Sequence, residues 1–133
     1  MLQIITAYVV SAAVFLGLDA VMLRGFMKPL FQQHIGDWLL ETPRYGPAVV
    51  FYLLYVAGGV YLVSRPALIA DAPTVALLHG ALLGALAYGT YEFTNLSTLT
   101  RWSWQQVIVD TTWGTVLTGV SLWLGVLAAR AIA

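Results

Sequence analysis

LQIITAYVVSAAVFLGLDAVMLRGF, Leu2 to Phe26, carries one acid and one base in an otherwise apolar run. At a rise of 1.5 Å per residue it is long enough to cross a hydrocarbon core about 30 Å thick. No polar face is left for water. The stretch therefore reads as a membrane span. It lacks a basic leading segment and is too long for the core of a secretory signal, so it reads as a retained helix.

The rest of the chain agrees. Of 133 residues, 60% are hydrophobic and only 9% charged. Mean hydropathy is +0.83. A soluble domain usually carries about 25% charged residues, so lipid is the expected solvent. Formal net charge is zero and no basic patch suits nucleic acid. Cysteine is absent, which excludes disulfides, thiolate metal sites and cysteine nucleophiles.

Three further apolar runs follow, giving spans at about 2–26, 47–64, 74–96 and 104–129. Pro47 suits a first helical turn, and Ser64-Arg65-Pro66 reads as a stop. In lipid every backbone polar group needs an internal partner, so the runs must be helical. The expected fold is an all-α membrane protein, a single antiparallel four-helix bundle spanning residues 1–133. The first connection, KPLFQQHIGDWLLETPRYG, spaces Phe31, Ile35, Trp38 and Leu39 on one helical face. It reads as a short interfacial helix, an anchor or else a lid over a site beneath it. Arg24, Lys28, Arg44 and Arg101 lie in or beside the first and third connections, against Arg65 and Arg130 on the opposite side. The positive-inside rule then places both termini outside.

Asp19, Glu92 and Asp110 interrupt three of the spans. Antiparallel threading brings all three to one half of the membrane, the half of the first and third connections. Helical spacing supplies the faces. Tyr88, Tyr91, Glu92 and Asn95 form one stripe, extended by Gly80 and Gly84, which permit close helix approach. Asp110, Trp113, Gly114 and Leu117 form a second stripe, and Ser11, Phe15 and Asp19 a third. Tyr52, Tyr55 and Gly59 share a face at similar depth. Carboxylates facing lipid are costly, so the stripes should face inwards. The expected pocket is Asp19, Tyr52, Tyr55, Tyr88, Tyr91, Glu92, Asn95 and Asp110, with Trp113 beside it.

LDAVML from Leu18, YGTYEFTNLSTL from Tyr88 and VDTTWGTVLTG from Val109 resemble the signature stretches of the DUF2177 family, small bacterial four-span membrane proteins. Asp19, Tyr88, Tyr91, Glu92, Thr94, Asn95, Asp110, Trp113 and Gly114 match the family pattern, in which aspartate is common at the place of Glu92. The resemblance covers essentially the whole chain. It implies an all-helical protein of the bacterial inner membrane and no established activity.

Chemistry can be read only as classes. Three carboxyls and Asn95 are an oxygen-rich set that would suit a hard cation, so Asp19, Glu92 and Asp110 are the metal candidates. A buried carboxylate without a cation tends to take a proton. The Ser and Thr residues of the third and fourth spans read as interhelical glue. His34 is on the side of the acids and His79 is not. Arg24 can fold back on the acids or reach the interface. Trp102 and Trp104 read as an interfacial belt, without chemistry. No catalytic motif or cofactor signature is present. Three functions fit: a small transporter or ligand- or cation-binding protein, a membrane enzyme or enzyme partner acting on lipid, or an accessory subunit. The expected partners are the bilayer, a small ligand or cation of unspecified identity, and a second copy or another membrane subunit.

Overall fold

A computed structural model describes residues 1–133 and contains helices, turns and no strand. Four helical runs are long and apolar enough to cross a membrane: 2–38, 45–69, 73–98 and 104–131. The first comprises α1 (Leu2–Met22), a π turn (Leu23–Met27), α2 (Lys28–Ile35) and a 3₁₀ turn (Gly36–Trp38). The second comprises α3 (Tyr45–Gly59), a π turn (Val60–Ser64) and α4 (Arg65–Ile69). The third is α5 (Pro73–Thr98) and the fourth α6 (Trp104–Ala131).

Two boundaries differ from the expectation, for one reason. Pro66 reads as a helix stop, and Pro29 would break a regular helix in the same way, yet the helix passes through both. Proline removes a backbone donor and crowds the carbonyl four residues earlier. Each proline here follows a π turn, where the Lys28 N–H bonds Leu23 O and the Arg65 N–H bonds Val60 O. Widening by one residue turns the crowded carbonyl aside and lets the helix continue. The connecting helix α2 is thus continuous with the first span. Its Ile35 packs with Trp102 and Val107, flanked by Phe31 and Leu96, across the adjacent ends of α5 and α6.

The fourth span is the hub. Half of its most apolar stretch is buried, against 17 to 28% in the other spans. It packs along α5 on one side and α1 on the other. Glycine permits the first contact: a Cβ on Gly84 would collide with Gly114 O, and one on Gly80 would come within 3.0 Å of Gly119 Cα. The α1 contact closes similarly, with Gly125 against Ser11 and Ala7. By contrast α3 leans mainly on α1 and has only sparse backbone contact with α5 and α6.

The connections are pinned by chemistry at both ends of the bundle. Ser103 and Gln106 form a reciprocal capping box that starts α6. Asp71 turns the chain between α4 and α5 in the left-handed region, φ 50°, which aspartate tolerates. Arg130 donates to Asp71 at 2.8 Å and Arg101 to Asp37 at 2.6 Å. Outward residues such as Val9, Phe51, Leu54, Leu82, Leu86 and Ile108 are exposed and apolar, as a lipid-facing surface requires.

Candidate functional site

The three acids sit at one level on three helices. Asp19 on α1 is almost fully buried. It accepts from Trp113 Nε1 on α6 at 3.2 Å, and Tyr52 on α3 lies beside it. Glu92 on α5 has no exposed surface. Its Oε1 accepts from Trp102 Nε1 at 3.0 Å. No N–H or O–H donor reaches its Oε2. The Asp110 carboxyl on α6 lies within hydrogen-bond reach of the Glu92 carboxyl. Two carboxyls can bond each other only when one of them carries a proton.

Tyrosines fill the space between. Tyr88 neighbours Asp19, Tyr52, Tyr55 and Asp110, and its ring lies on Gly114, where a Cβ would collide with it. Tyr55 bonds Thr118 at 3.0 Å and so ties α3 to α6. Phe15 packs on Tyr52 and Tyr55, with centroids 5.4 and 5.7 Å away. Asn95 lies beside Tyr91, one turn away. Tyr91 is half exposed. A small cavity lined by Phe15, Tyr55, Val56, Gly59, Thr118, Ser121 and Leu122 adjoins the cluster on the side of the termini.

Asp19, Tyr52, Tyr88, Glu92, Asp110 and Trp113 meet most closely. Tyr55 and Asn95 sit at the edge, Tyr55 bonded to Thr118. The oxygen-rich set does not close around a metal: no group of three Asp, Glu, His or Cys residues is placed to hold one.

Trp102 is the residue that sequence reasoning passed over. Its neighbours Arg101 and Trp104 are exposed, as a belt requires, but Trp102 is buried. Its ring meets Phe31 at 5.5 Å and Tyr91 at 5.8 Å, edge to face. It thus links the connecting helix to Glu92. The proximity of the capped start of α6 was the available signal. Arg24 is exposed and makes no ion pair; the two ion pairs are those of Arg101 and Arg130. His34 faces Gln105 at 3.4 Å, and His79 is exposed. The hydroxyl glue is mostly local: Thr90, Ser97, Thr98 and Thr115 donate to the carbonyl four residues back. Thr118 is the one that bonds across helices.

The site is thus a carboxyl pair, a third carboxyl held by Trp113, and a tyrosine wall, without a basic side chain. Comparison with curated proteins and with solved structures gave no match. A family model described as a predicted membrane protein, DUF2177, matches residues 4–127, and the chain belongs to that family.

Proposed function

We propose that this integral membrane protein is a small binding or transport protein that exchanges protons at the Glu92–Asp110 pair. The observation that carries the reading is the approach of two carboxyls at a depth where one oxygen, Glu92 Oε2, has no other partner. Polar groups at such depth are costly and tend to mark ion, proton or substrate pathways. Asp19, held by Trp113 Nε1, stands beside the pair as a third carboxyl. The cationic connections of Arg24, Lys28, Arg44 and Arg101 face the cytoplasm of a bacterial inner membrane in this reading, with the termini outside. Reconstituted in vesicles under a pH gradient, the wild type collapses the gradient faster than Asp110→Asn. Equal rates in the two proteins contradict the reading.

A second reading has support of its own. Ala13, Gly17 and Ala20 are exposed on α1, and nothing lies within 4 Å of a Cβ built on Gly17. Such a ridge suits close packing against another membrane helix. The protein is then a subunit whose acids serve its own fold. Gly17→Leu abolishes a cross-linked assembly under this reading and leaves the gradient assay unchanged.

A further inference from the structure

The acids are screened on three sides and approachable on the fourth. On the side of the connections, α2 and Trp102 cover Glu92. The line of contact between α5 and α6 is closed by glycine packing, and α1 closes on α6 through Ser11 and Gly125. Between α3 and α5 the backbones have little contact. The gap is bordered by tyrosine: Tyr52 and Tyr55 from α3, Tyr88 and Tyr91 from α5. Tyr91 is 51% exposed, and Asp110, Tyr52 and Tyr88 are partly so. The exposed part of the cluster thus belongs to Asp110 and to the tyrosines that border this gap.

Charge decides what fits there. Asp19, Glu92 and Asp110 have no basic partner, because both ion pairs of the protein lie at its exposed ends. Tyrosine faces attract a cation beside them. Glu92 Oε2 is fully buried and lacks a donor. A metal ion would need several convergent oxygens at short range, and the structure offers no such group. An organic ammonium needs only a carboxylate and aromatic faces. An apolar tail would stay in the lipid from which the gap opens.

We infer that the gap between α3 and α5 is a lateral binding site for a membrane-dissolved amphiphile with a monovalent ammonium head. This rests on the proton-exchanging reading above and names its substrate class. The head sits against Asp110 between Tyr88 and Tyr91, and the tail lies along the outer faces of α3 and α5. Binding breaks the carboxyl–carboxyl hydrogen bond. The shared proton leaves to water as the cation arrives, so the charge of the site is unchanged. The titratable groups facing the pair are Asp19 on α1, Tyr52 on α3, and Tyr88 and Tyr91 on α5.

The test uses the full chain in lipid nanodiscs, titrated with dodecyltrimethylammonium in weak buffer. Tryptophan fluorescence reports binding through Trp102 and Trp113, and a pH dye reports released protons. Saturable binding with about one proton released per cation is expected, since the carboxyl pair holds one between them. Asp110→Asn and Glu92→Gln should each weaken binding about tenfold or more, the value of one charge-assisted contact, and abolish the release. Tyr91→Ala, a change at an exposed position, should weaken binding in a protein that still folds. Tetramethylammonium, a head without a tail, and dodecanol, a tail without charge, should bind far less well. Wild-type binding that is absent, or unchanged in Asp110→Asn, overturns the inference. Tetramethylammonium binding as tightly as the long-chain cation, or dodecanol doing so, overturns it too. Infrared titration of the carboxyl pair is the independent check. A pair that titrates while no ammonium binds removes this inference and leaves proton exchange standing; a pair that never holds a proton removes both.

Discussion

The indole N–H of Trp102 donates to Glu92 Oε1 at 3.0 Å, joining the third connection to the most deeply buried acid of the protein. Trp102 also packs edge-on against Phe31 of the connecting helix. One side chain therefore satisfies half of the Glu92 carboxyl and closes the bundle over it. Trp102→Phe keeps most of the ring contact and removes the donor. The loss should be about 1 kcal/mol or somewhat more, because a buried acceptor is left unpaired. Reversible unfolding in mixed micelles measures it. The double variant Trp102→Phe with Glu92→Leu should recover part of the loss; if it recovers none, the hydrogen bond is not what Trp102 contributes.

Glycine substitutions separate the packed face from the lipid face. At Gly114 a Cβ would collide with the Tyr88 ring, and at Gly84 with the backbone of α6. Gly114→Ala and Gly84→Ala should each destabilise by about 1–3 kcal/mol, the usual cost of overpacking. At Gly17 a Cβ meets nothing, and alanine there favours the helix by about 0.5–1 kcal/mol. Melting curves of the three variants in one detergent check the contrast. A Gly114→Ala protein as stable as the wild type would place Tyr88 elsewhere.

The Arg101–Asp37 pair is short but exposed on both sides, with side chains 46% and 77% accessible. Solvent and salt weaken such pairs strongly. Asp37→Asn should leave the melting temperature unchanged within error at moderate salt. A clear drop would mean that the pair latches α2 and that the hydrophobic contacts of Ile35 and Phe31 do not suffice.

Much of this arrangement is legible in the amino-acid order. Alternating direction and a fixed rise per residue place Asp19, Glu92 and Asp110 at one depth without tertiary information. Spacing puts Tyr88, Glu92 and Gly84 on one face, and the structure packs that face on α6. What is lost is anything that depends on helix geometry rather than period. Pro66 reads as a stop because a π turn leaves no mark in the hydrophobic pattern. Trp102 reads as a belt residue because its burial depends on α2 folding over it, a long-range contact. The unequal packing of α3 is invisible too: its apolar composition is the same whether it faces lipid or protein.

The absence of a three-ligand group predicts indifference to divalent cations. A melting series with Mg2+, Ca2+, Mn2+ and a chelator should show no shift in the wild type. A ligand that binds only the folded state raises its stability by mass action. A chelator-reversible rise, lost in Asp19→Asn and Asp110→Asn, would restore the metal reading.

The proposal of a proton shared by Glu92 and Asp110 is the centre of the account, and infrared difference spectroscopy across pH tests it directly. The wild type should show a protonated carboxyl band at neutral pH that Glu92→Gln and Asp110→Asn each remove or shift, because the pair titrates as a unit. Asp19→Asn should leave that band in place. A wild type with no protonated carboxyl near neutrality, or a band that survives both Glu92→Gln and Asp110→Asn unchanged, would contradict it.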